Sequence, residues 1–328
     1  MASPAPNPAP ISPATPAREA GLSRLAMGAI ALGALAFALL PLLLPTYQVS
    51  ILTEVLIFAV LAMAVDILAG YTGRTPLCHG AIFGFSTYVA VYWTAQMGGS
   101  PYVGAVVGIL AATGVAAIFA LLAIRTSGVY FLLLTLALGM IVWGVCLRWT
   151  SVTGGENGLR GAVRPAALAD GFSFYYAVFA AVAVVAFVMW RFVRSPFGLT
   201  LRGIRDSESR MRSLGYNVPA HLFLAFTLSG FFAGIAGALY AMFNDFVSPS
   251  TVGLSQSVEG LLMAITGGVG TLFGAFIGSF AIIGLENLVS LYTERWQSVL
   301  GAMFVLIMIF APEGILGRIR SFVAQRRR

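Results

Sequence analysis

Apolar runs of about 20 residues recur along almost the whole chain, and they limit its fold more than any other feature. A helix of that length matches the hydrocarbon thickness of a bilayer. The composition agrees, because 59% of the 328 residues are hydrophobic and only 9% are charged, whereas soluble domains carry about 25% charged residues. The sequence therefore predicts an all-α polytopic membrane protein with one transmembrane domain, at 21–315.

The apolar runs predict about ten transmembrane segments. The first, at 25–44, is longer than the apolar region of a signal peptide and is interpreted as an uncleaved anchor. The region 257–311 has breaks at Gly267–Gly270 and at Thr293–Trp296, which divide it into one short helix and two full ones. Short or broken Gly-rich helices are therefore expected among the ten. The remaining runs lie at about 51–69, 79–97, 102–124, 128–147, 172–190 and 220–243.

The charged and reactive residues exclude several classes of function. All 19 basic residues are Arg, and a Walker A loop requires Lys, so the chain does not hydrolyse ATP by that chemistry. Cys78 and Cys146 lack metal-ligand spacing, and neither His79 nor His221 has a catalytic neighbour. We therefore predict no catalytic residue and no metal site. The net charge of +7 comes from Arg at the ends of apolar runs, which indicates topology and not nucleic-acid binding.

The distribution of Arg also predicts an orientation. Residues 1–20 are rich in Pro and Ala and are expected to form a disordered tail. If that tail is cytoplasmic, alternation of the spans places Arg74, Arg125, the group 191–212 and the basic tail 316–328 inside. Fewer Arg then lie outside, as the positive-inside rule requires. Both termini are therefore predicted to be cytoplasmic.

The charge is concentrated in one interior loop, at 195–217. The loop starts with a Ser-Pro-Phe-Gly turn, continues with helix formers over 199–214 and ends at Gly215, a natural C-cap. Its mixed charge suits a soluble protein partner better than an anionic bilayer alone. The alternative is a surface helix held by salt bridges within the loop. A narrow apolar stripe is expected on one face of the helix, formed by Leu201, Ile204, Met211 and Leu214.

This loop and the helix after it also carry a family resemblance. They resemble the permease subunits of bacterial branched-chain amino acid ABC importers, of the LivM-like type, over "SPFGLTLRGIRDSESRMRSLGYNVPAHLFLAFTLSGFFAGIAGALYA". The resemblance covers roughly residues 50–315. Further signatures of that family occur in order at "GYTGRTPLCHGAIFG" (70–84), "SGVYFLLLTLALGMI" (127–141), "TGGENGL" (153–159) and "ITGGVGTLFGAFIGS" (265–279).

The resemblance implies a function. The chain would be a permease subunit in the bacterial inner membrane that translocates branched-chain or related small amino acids. Two cytoplasmic ATPase subunits would bind ATP and Mg²⁺, so this chain itself would hold no cofactor. A related second permease and a periplasmic substrate-binding protein would complete the importer, surrounded by membrane lipid and without nucleic acid. The 195–217 loop would be a coupling helix moved by the ATPases, with Gly198, Arg202, Arg205, Asp206, Glu208, Arg212 and Gly215 at the family's coupling positions.

Ionisable and glycine residues inside the apolar runs are candidates for the translocation path, because buried charge is costly in a membrane and glycines permit helix breaks. Asp66 stands where the family usually has an amide, and we expect it to pair with Arg74, His79 or a polar substrate, or with a structural partner. For His79 a packing or hydrogen-bonding role is favoured over proton relay, and for the other positions tight packing or an ordinary turn is the alternative. The candidates are Asp66, His79, Gly80, Gly84, Thr153, Gly154, Gly155, Glu259, Gly267 and Gly268.

Two other functions stay open on the sequence. Urea and short amides use permeases of the same family, and Asp66, Pro76 and Cys78 depart from its pattern in a way that suits such a shift. A stand-alone secondary transporter or channel would instead use Asp66, Glu259 and Glu286 as coupling groups.

Overall fold

Almost all of the described chain is helical. The computed structural model describes residues 24–161, 164–293, 298–299, 301–302, 305 and 314. Two short strands, β1 (Leu159–Arg160) and β2 (Phe246–Val247), pair antiparallel. The α-helices in this part of the chain are α1 (Arg24–Leu39), α2 (Thr46–Tyr71), α3 (His79–Ala95), α4 (Pro101–Ala123), α5 (Gly128–Arg148), α6 (Thr150–Thr153), α7 (Gly171–Val193), α8 (Pro196–Asp206), α9 (Glu208–Ser213), α10 (Val218–Phe243), α11 (Leu254–Gly267) and α12 (Gly274–Ser290).

The described residues up to Leu42 belong to a compact unit of their own. In this unit α1 is followed by a 3-10 turn at Leu40–Leu42, and Leu32 and Leu35 are exposed. The predicted tails at 1–20 and 316–328 and the predicted turn at Thr293–Trp296 lie wholly or mainly outside the described residues.

Five of the described helices are long and apolar enough to cross a bilayer, namely α2, α4, α5, α7 and α10. This confirms the prediction of an all-α polytopic membrane protein. The other described helices are shorter, and the last predicted segment lies largely outside the described residues. The count of ten segments therefore stays a prediction.

Helix α2 is the centre of the membrane domain. Its most apolar stretch is 89% buried, against 28–39% for α4, α5 and α7. A helix that is apolar on all sides is stable when other helices surround it. Helices α3, α7, α10, α11 and α12 all pack against α2, whereas α4 and α5 expose apolar side chains such as Leu110 and Leu133.

Helix α3 is short because it begins inside the membrane domain. After α2 the chain turns back inward, so that the Leu77 N–H donates to Thr135 Oγ1 at 3.0 Å. Leu77 and Cys78 then lie against Gly139, halfway along α5. Helix α3 starts at this depth and continues to the opposite end of the domain.

Helix α11 also starts inside the domain, but the chain enters from the other end. The segment after β2 packs on α3, where a β-carbon at Gly84 would lie 2.5 Å from the Thr251 carbonyl oxygen. The first turns of α3 and α11 meet where the Gly80 N–H donates to Ser257 Oγ at 3.0 Å. Two partial helices therefore meet in the interior, as the broken Gly-rich segments predicted.

Contacts between loops define the two ends of the domain. At one end, called here the Arg-rich end, Arg74 donates to the carbonyl oxygens of Ile124 and Thr126 and pairs with Glu208. At the opposite end β1 pairs with β2, and Arg164 donates to the carbonyl oxygens of Met242 and Phe243 at 3.0 and 2.7 Å.

Candidate functional site

The 195–217 segment at the Arg-rich end folds into two helices and not into the single helix predicted over 199–214. Helix α8 is capped by Ser195 Oγ, which accepts from the Gly198 N–H at 3.4 Å. Ser207 has an extended backbone that ends α8, and its Oγ caps α9 by accepting from the Arg210 N–H at 3.3 Å. Serine competes with helical hydrogen bonds in this way, which explains the break. Gly215, with φ +86°, follows the end of α9, where a terminating glycine was predicted.

Apolar side chains hold both helices against the membrane domain. Leu201 and Ile204 of α8 and Met211 of α9 are buried, as the stripe predicted. Leu214 is 66% exposed, so its assignment to the stripe is wrong. The break at Ser207 changes the direction of the chain and removes Leu214 from the helical register of Leu201 and Ile204.

Two Arg residues of α8 contact the last turn of α2. The Arg205 guanidinium donates to the Gly70 carbonyl oxygen. The Arg202 guanidinium lies over the Tyr71 ring, 5.2 Å from its centroid. Arg202 and Arg205 therefore face α2, although they were predicted simply as coupling positions.

Glu208 joins three loops of the Arg-rich end. Its two carboxylate oxygens lie 3.2 Å from Arg74 Nη2 and 2.6 Å from Arg212 Nη2. Arg74 in turn holds the turn between α4 and α5 through Ile124 and Thr126. Arg74 is buried, so Glu208 balances a charge that has little access to water.

The outward face of the segment is mixed in charge and partly apolar. Asp206, Arg210 and Arg212 are exposed there. Leu199 and Leu214 are exposed as well, at 50% and 66%. A charged rim around apolar side chains is typical of a surface that binds a protein.

Asp66 binds neither Arg74 nor His79, and its described partners are structural, which was the alternative left open on the sequence. It is 2% exposed near the end of α2, and its Oδ1 and Oδ2 accept from the Gly270 and Leu272 N–H groups at 2.6 and 3.0 Å. These groups belong to the break between α11 and α12. This contact could not be predicted from the sequence, because a backbone N–H group has no residue signature.

His79 lies at the start of α3 and takes part in a buried polar chain. Its Nε2 is 2.6 Å from Ser229 Oγ, and Ser229 donates to the Ala64 carbonyl oxygen at 2.5 Å. The chain links α3, α10 and α2 at the depth where α3 begins. This agrees with the packing or hydrogen-bonding role that the sequence favoured for His79 over proton relay.

The glycines near 267 permit a tight hairpin between α11 and α12. A β-carbon at Gly267 would overlap the Gly274 carbonyl oxygen, and one at Gly278 would overlap the Met263 carbonyl oxygen. Gly268, at φ +112°, ends α11, as the glycine cluster predicted.

Glu259 lies on α11, two residues after Ser257 at the meeting point with α3 and more than two turns before the break that Asp66 binds. It is half-buried, accepts from Gln256 Nε2 at 3.2 Å and lies close enough to Glu54 and Glu286 for their charges to interact. Glu54 was not among the residues predicted from the sequence. A carboxylate eight residues inside the apolar helix α2 was the available signal.

The 150–161 loop lies at the opposite end, as the order of the spans predicted. Thr153 Oγ1 donates to the Cys146 carbonyl oxygen at 2.6 Å and accepts from the Gly155 N–H at 3.3 Å. Gly154 and Gly158 adopt φ of +74° and +64° and turn the chain into β1. The described contacts of Thr153, Gly154 and Gly155 are those of a tight turn.

Comparison with known proteins identifies the family. Residues 47–311 match the family described as "Branched-chain amino acid transport system / permease component". The chain is 28% identical over 312 residues to the high-affinity branched-chain amino acid transport system permease protein LivM of Salmonella typhimurium, covering 84% of this chain and 71% of the relative. It is 31% identical over 130 residues to LivH of the same organism, covering 39% and 42%.

A third relative has another substrate in its name. The autoinducer 2 import system permease protein LsrC of Klebsiella pneumoniae is 30% identical over 146 residues, covering 42% of this chain and 41% of the relative. No solved structure matches the chain. The family match spans the whole membrane core described above, and the chain therefore belongs to the family of branched-chain amino acid transport system permease components.

Proposed function

We propose that the chain is the transmembrane permease subunit of an ABC importer, and that cytoplasmic ATPase subunits dock on the outward face of the 195–217 segment. The observation that carries the proposal is the division of this segment into two faces. Leu201, Arg205 and Glu208 fasten it to the membrane helices, while Asp206 and Arg210 point away. A surface that is rigidly attached on one side and free on the other suits the reception of force from a partner.

The proposed orientation rests on the difference in charge between the two ends of the domain. The Arg-rich end carries Arg74, Arg125 and the group 191–212, whereas the opposite end carries Arg148, Arg160 and Arg164 with Glu156, Asp170 and Asp245. The positive-inside rule places the Arg-rich end in the cytoplasm. The 150–161 loop then faces the periplasm, where a substrate-binding protein would deliver its cargo.

The proposed substrate is a branched-chain or related small amino acid, as in the relatives named LivM and LivH. The path would pass the meeting point of α3 and α11, at Gly80, Gly84 and Ser257, because partial helices that meet in the interior of a transporter commonly mark its pathway. The half-buried carboxylate of Glu259 lies two residues after Ser257 and close enough to Glu54 for their charges to interact, and both carboxylates suit the ammonium group of a zwitterion. A second permease subunit, distinct or identical, would complete the path.

Copurification tests the docking face. We would coexpress the chain with its candidate ATPase and permease subunits and compare the wild type with Asp206→Ala/Arg210→Ala. The double variant should lose the ATPases while keeping the second permease. Arg125→Ala is the matched control, since it removes an Arg from the same end but outside the segment. A chain that purifies alone and moves solute in liposomes without ATP would instead support the secondary transporter.

A separate uptake assay tests the path. Glu259→Gln should lower uptake of a branched-chain amino acid while the ATPases still copurify. The control is Asp245→Asn, which removes an exposed carboxylate at the same end of the domain but outside the 150–161 loop. Equal uptake by Glu259→Gln and the wild type would remove Glu259 from the proposed path.

A further inference from the structure

We propose that Asp66 is a positioning residue that ties the break between α11 and α12 to the 195–217 segment, so that movement of the segment is transmitted to α11. The inference rests on the proposed function, since the movement comes from the ATPases. It assigns to Asp66 a role in coupling and not in substrate binding.

The break itself is a defined and unusual piece of backbone. Between α11 and α12, Gly268 and Gly270 have φ of +112° and +81°, and Leu272 has φ +53°. Leu272 is the only non-glycine residue with positive φ in the part of the chain that the structure describes. Such a conformation in a bulky residue persists only where neighbouring groups enforce it.

The Asp66 carboxylate stabilises this backbone conformation. Its two oxygens accept from the Gly270 and Leu272 N–H groups, at 2.6 and 3.0 Å, and thereby hold both sides of the turn. The carboxylate forms no salt bridge with a described residue. Its described hydrogen bonds all go to the break between α11 and α12. A buried carboxylate placed in this way fixes the position of the break relative to α2.

The 195–217 segment contacts the same point. Arg205 donates to the Gly70 carbonyl oxygen, one helical turn after Asp66 on α2, and lies close enough to Asp66 for their charges to interact. A β-carbon at Gly70 would lie 2.5 Å from the Gly270 nitrogen, and one at Gly270 would lie 3.5 Å from Arg205 Nη1. Segment, α2 and break therefore converge with no space between them.

The other end of α11 shows what the movement would reach. Helix α11 starts at the contact of Ser257 with Gly80 and carries Glu259. Its hairpin with α12 is too tight for a β-carbon at Gly267 or Gly278, so both helices would move as one body. A displacement at the break is thus delivered to the meeting point of α3 and α11.

The test uses the complete importer with its ATPases, second permease and binding protein in lipid nanodiscs. Hydrogen exchange is followed in peptides covering 266–276 and 195–217, without nucleotide and with ATP and vanadate. Transported amino acid per ATP hydrolysed is measured in liposomes. In the wild type, exchange in both peptides should change on nucleotide trapping.

Asp66→Asn keeps the size of the side chain but offers an NH2 group where an acceptor is needed. Exchange in 266–276 should become about tenfold faster without nucleotide, the effect of losing one hydrogen bond to a charged acceptor. The 195–217 peptide should still respond to nucleotide, the 266–276 peptide should not, and transport per ATP should fall. A purely structural role would lower the yield or melting temperature and leave transport per ATP unchanged, which would overturn the proposal.

Arg205→Gln gives an independent route if Asp66→Asn does not assemble. It leaves the Asp66 hydrogen bonds in place, so exchange in 266–276 should match the wild type without nucleotide but lose its response to nucleotide. Arg125→Gln, at the same end but without a contact to the break, should behave as the wild type. If the ATPases copurify and the 266–276 peptide of the wild type ignores nucleotide, only this inference is wrong. If the ATPases do not copurify, the proposed function falls, and this inference with it.

Discussion

At the residue scale, some buried polar groups of the membrane domain have specific hydrogen-bond partners, and others have none among the described residues. Ser229 is the clearest example, since it lies between His79 Nε2 and the Ala64 carbonyl oxygen and so joins three helices. Thr227, two residues earlier on α10, has a buried hydroxyl without a hydrogen-bond partner among the described residues. The two positions therefore differ in what their hydroxyl groups contribute.

Ser229→Ala should lower the free energy of unfolding by about 1–3 kcal/mol, because His79 Nε2 is left buried and unpaired. Thr227→Val removes an unpaired hydroxyl at constant shape and should be neutral or stabilising. Thermal unfolding of the purified chain in detergent measures both. Equal melting temperatures for the two variants would contradict the assignment of the buried chain.

The ion pair of Arg74 with Glu208 is a second residue-scale feature that can be measured. Glu208→Gln should cost about 1–3 kcal/mol of unfolding free energy, because the buried Arg74 loses its charged partner. A double-mutant cycle with Arg74→Gln isolates the pair, and the double variant should lose less than the sum of the single variants. Additive losses would show that the two side chains do not interact. Arg125→Gln is the control for loss of positive charge at this end.

At the element scale, α11 packs between glycines of α3 and glycines of α12. Gly80 and Gly84 of α3 contact its first turn and the residues before it, and Gly274 and Gly278 of α12 contact its last turns. The similar sequences GAIFG and GAFIG thus perform similar packing on one helix. Close backbone approach of this kind is how helices associate in membranes, where apolar surface alone gives little drive.

Gly278→Ala should therefore destabilise the chain by about 1–3 kcal/mol, since the new methyl group would overlap the Met263 carbonyl oxygen. Gly284 is on the same helix with open space around it, so Gly284→Ala should be neutral or stabilise by up to about 1 kcal/mol. The melting temperatures of the two variants test the hairpin. Similar shifts for both would mean that α11 and α12 do not pack as described.

At the scale of the whole molecule, the two ends differ in charge and in structure, and each has an expected side of the membrane. The native thiols Cys78 and Cys146 are buried, so engineered cysteines can be labelled against a low background. Asn157 at the opposite end and Ser209 at the Arg-rich end are both exposed.

Asn157→Cys should react with a membrane-impermeant maleimide in intact spheroplasts, and Ser209→Cys only after the membrane is opened. The reason is the positive-inside rule applied to the Arg-rich end. Labelled fractions before and after permeabilisation give the result. The reverse pattern would invert the proposed orientation and exclude ATPase docking on the 195–217 segment.

Features of the whole molecule that depend on local sequence are predicted well. Apolar runs are local, so the helical membrane class and the positions of α2, α4, α5, α7 and α10 follow from them directly. The break near Gly268 and the end of the 195–217 segment at Gly215 were also predictable, since positive φ favours glycine at both positions. The break at Ser207 was not predictable. A serine can either cap a helix or lie within one, and the local sequence does not distinguish the two cases.

The sequence by itself determined that this chain is a helical membrane protein with its charge gathered in one loop, because bilayer thickness and the cost of buried charge act on each segment separately. Only the tertiary structure decided the partners. Asp66 binds backbone groups more than 200 residues away. The carboxylates of Glu54, Glu259 and Glu286 lie near one another only when α2, α11 and α12 pack together. Such contacts depend on how helices pack, and helix packing is set by backbone approach at glycines in several segments at once.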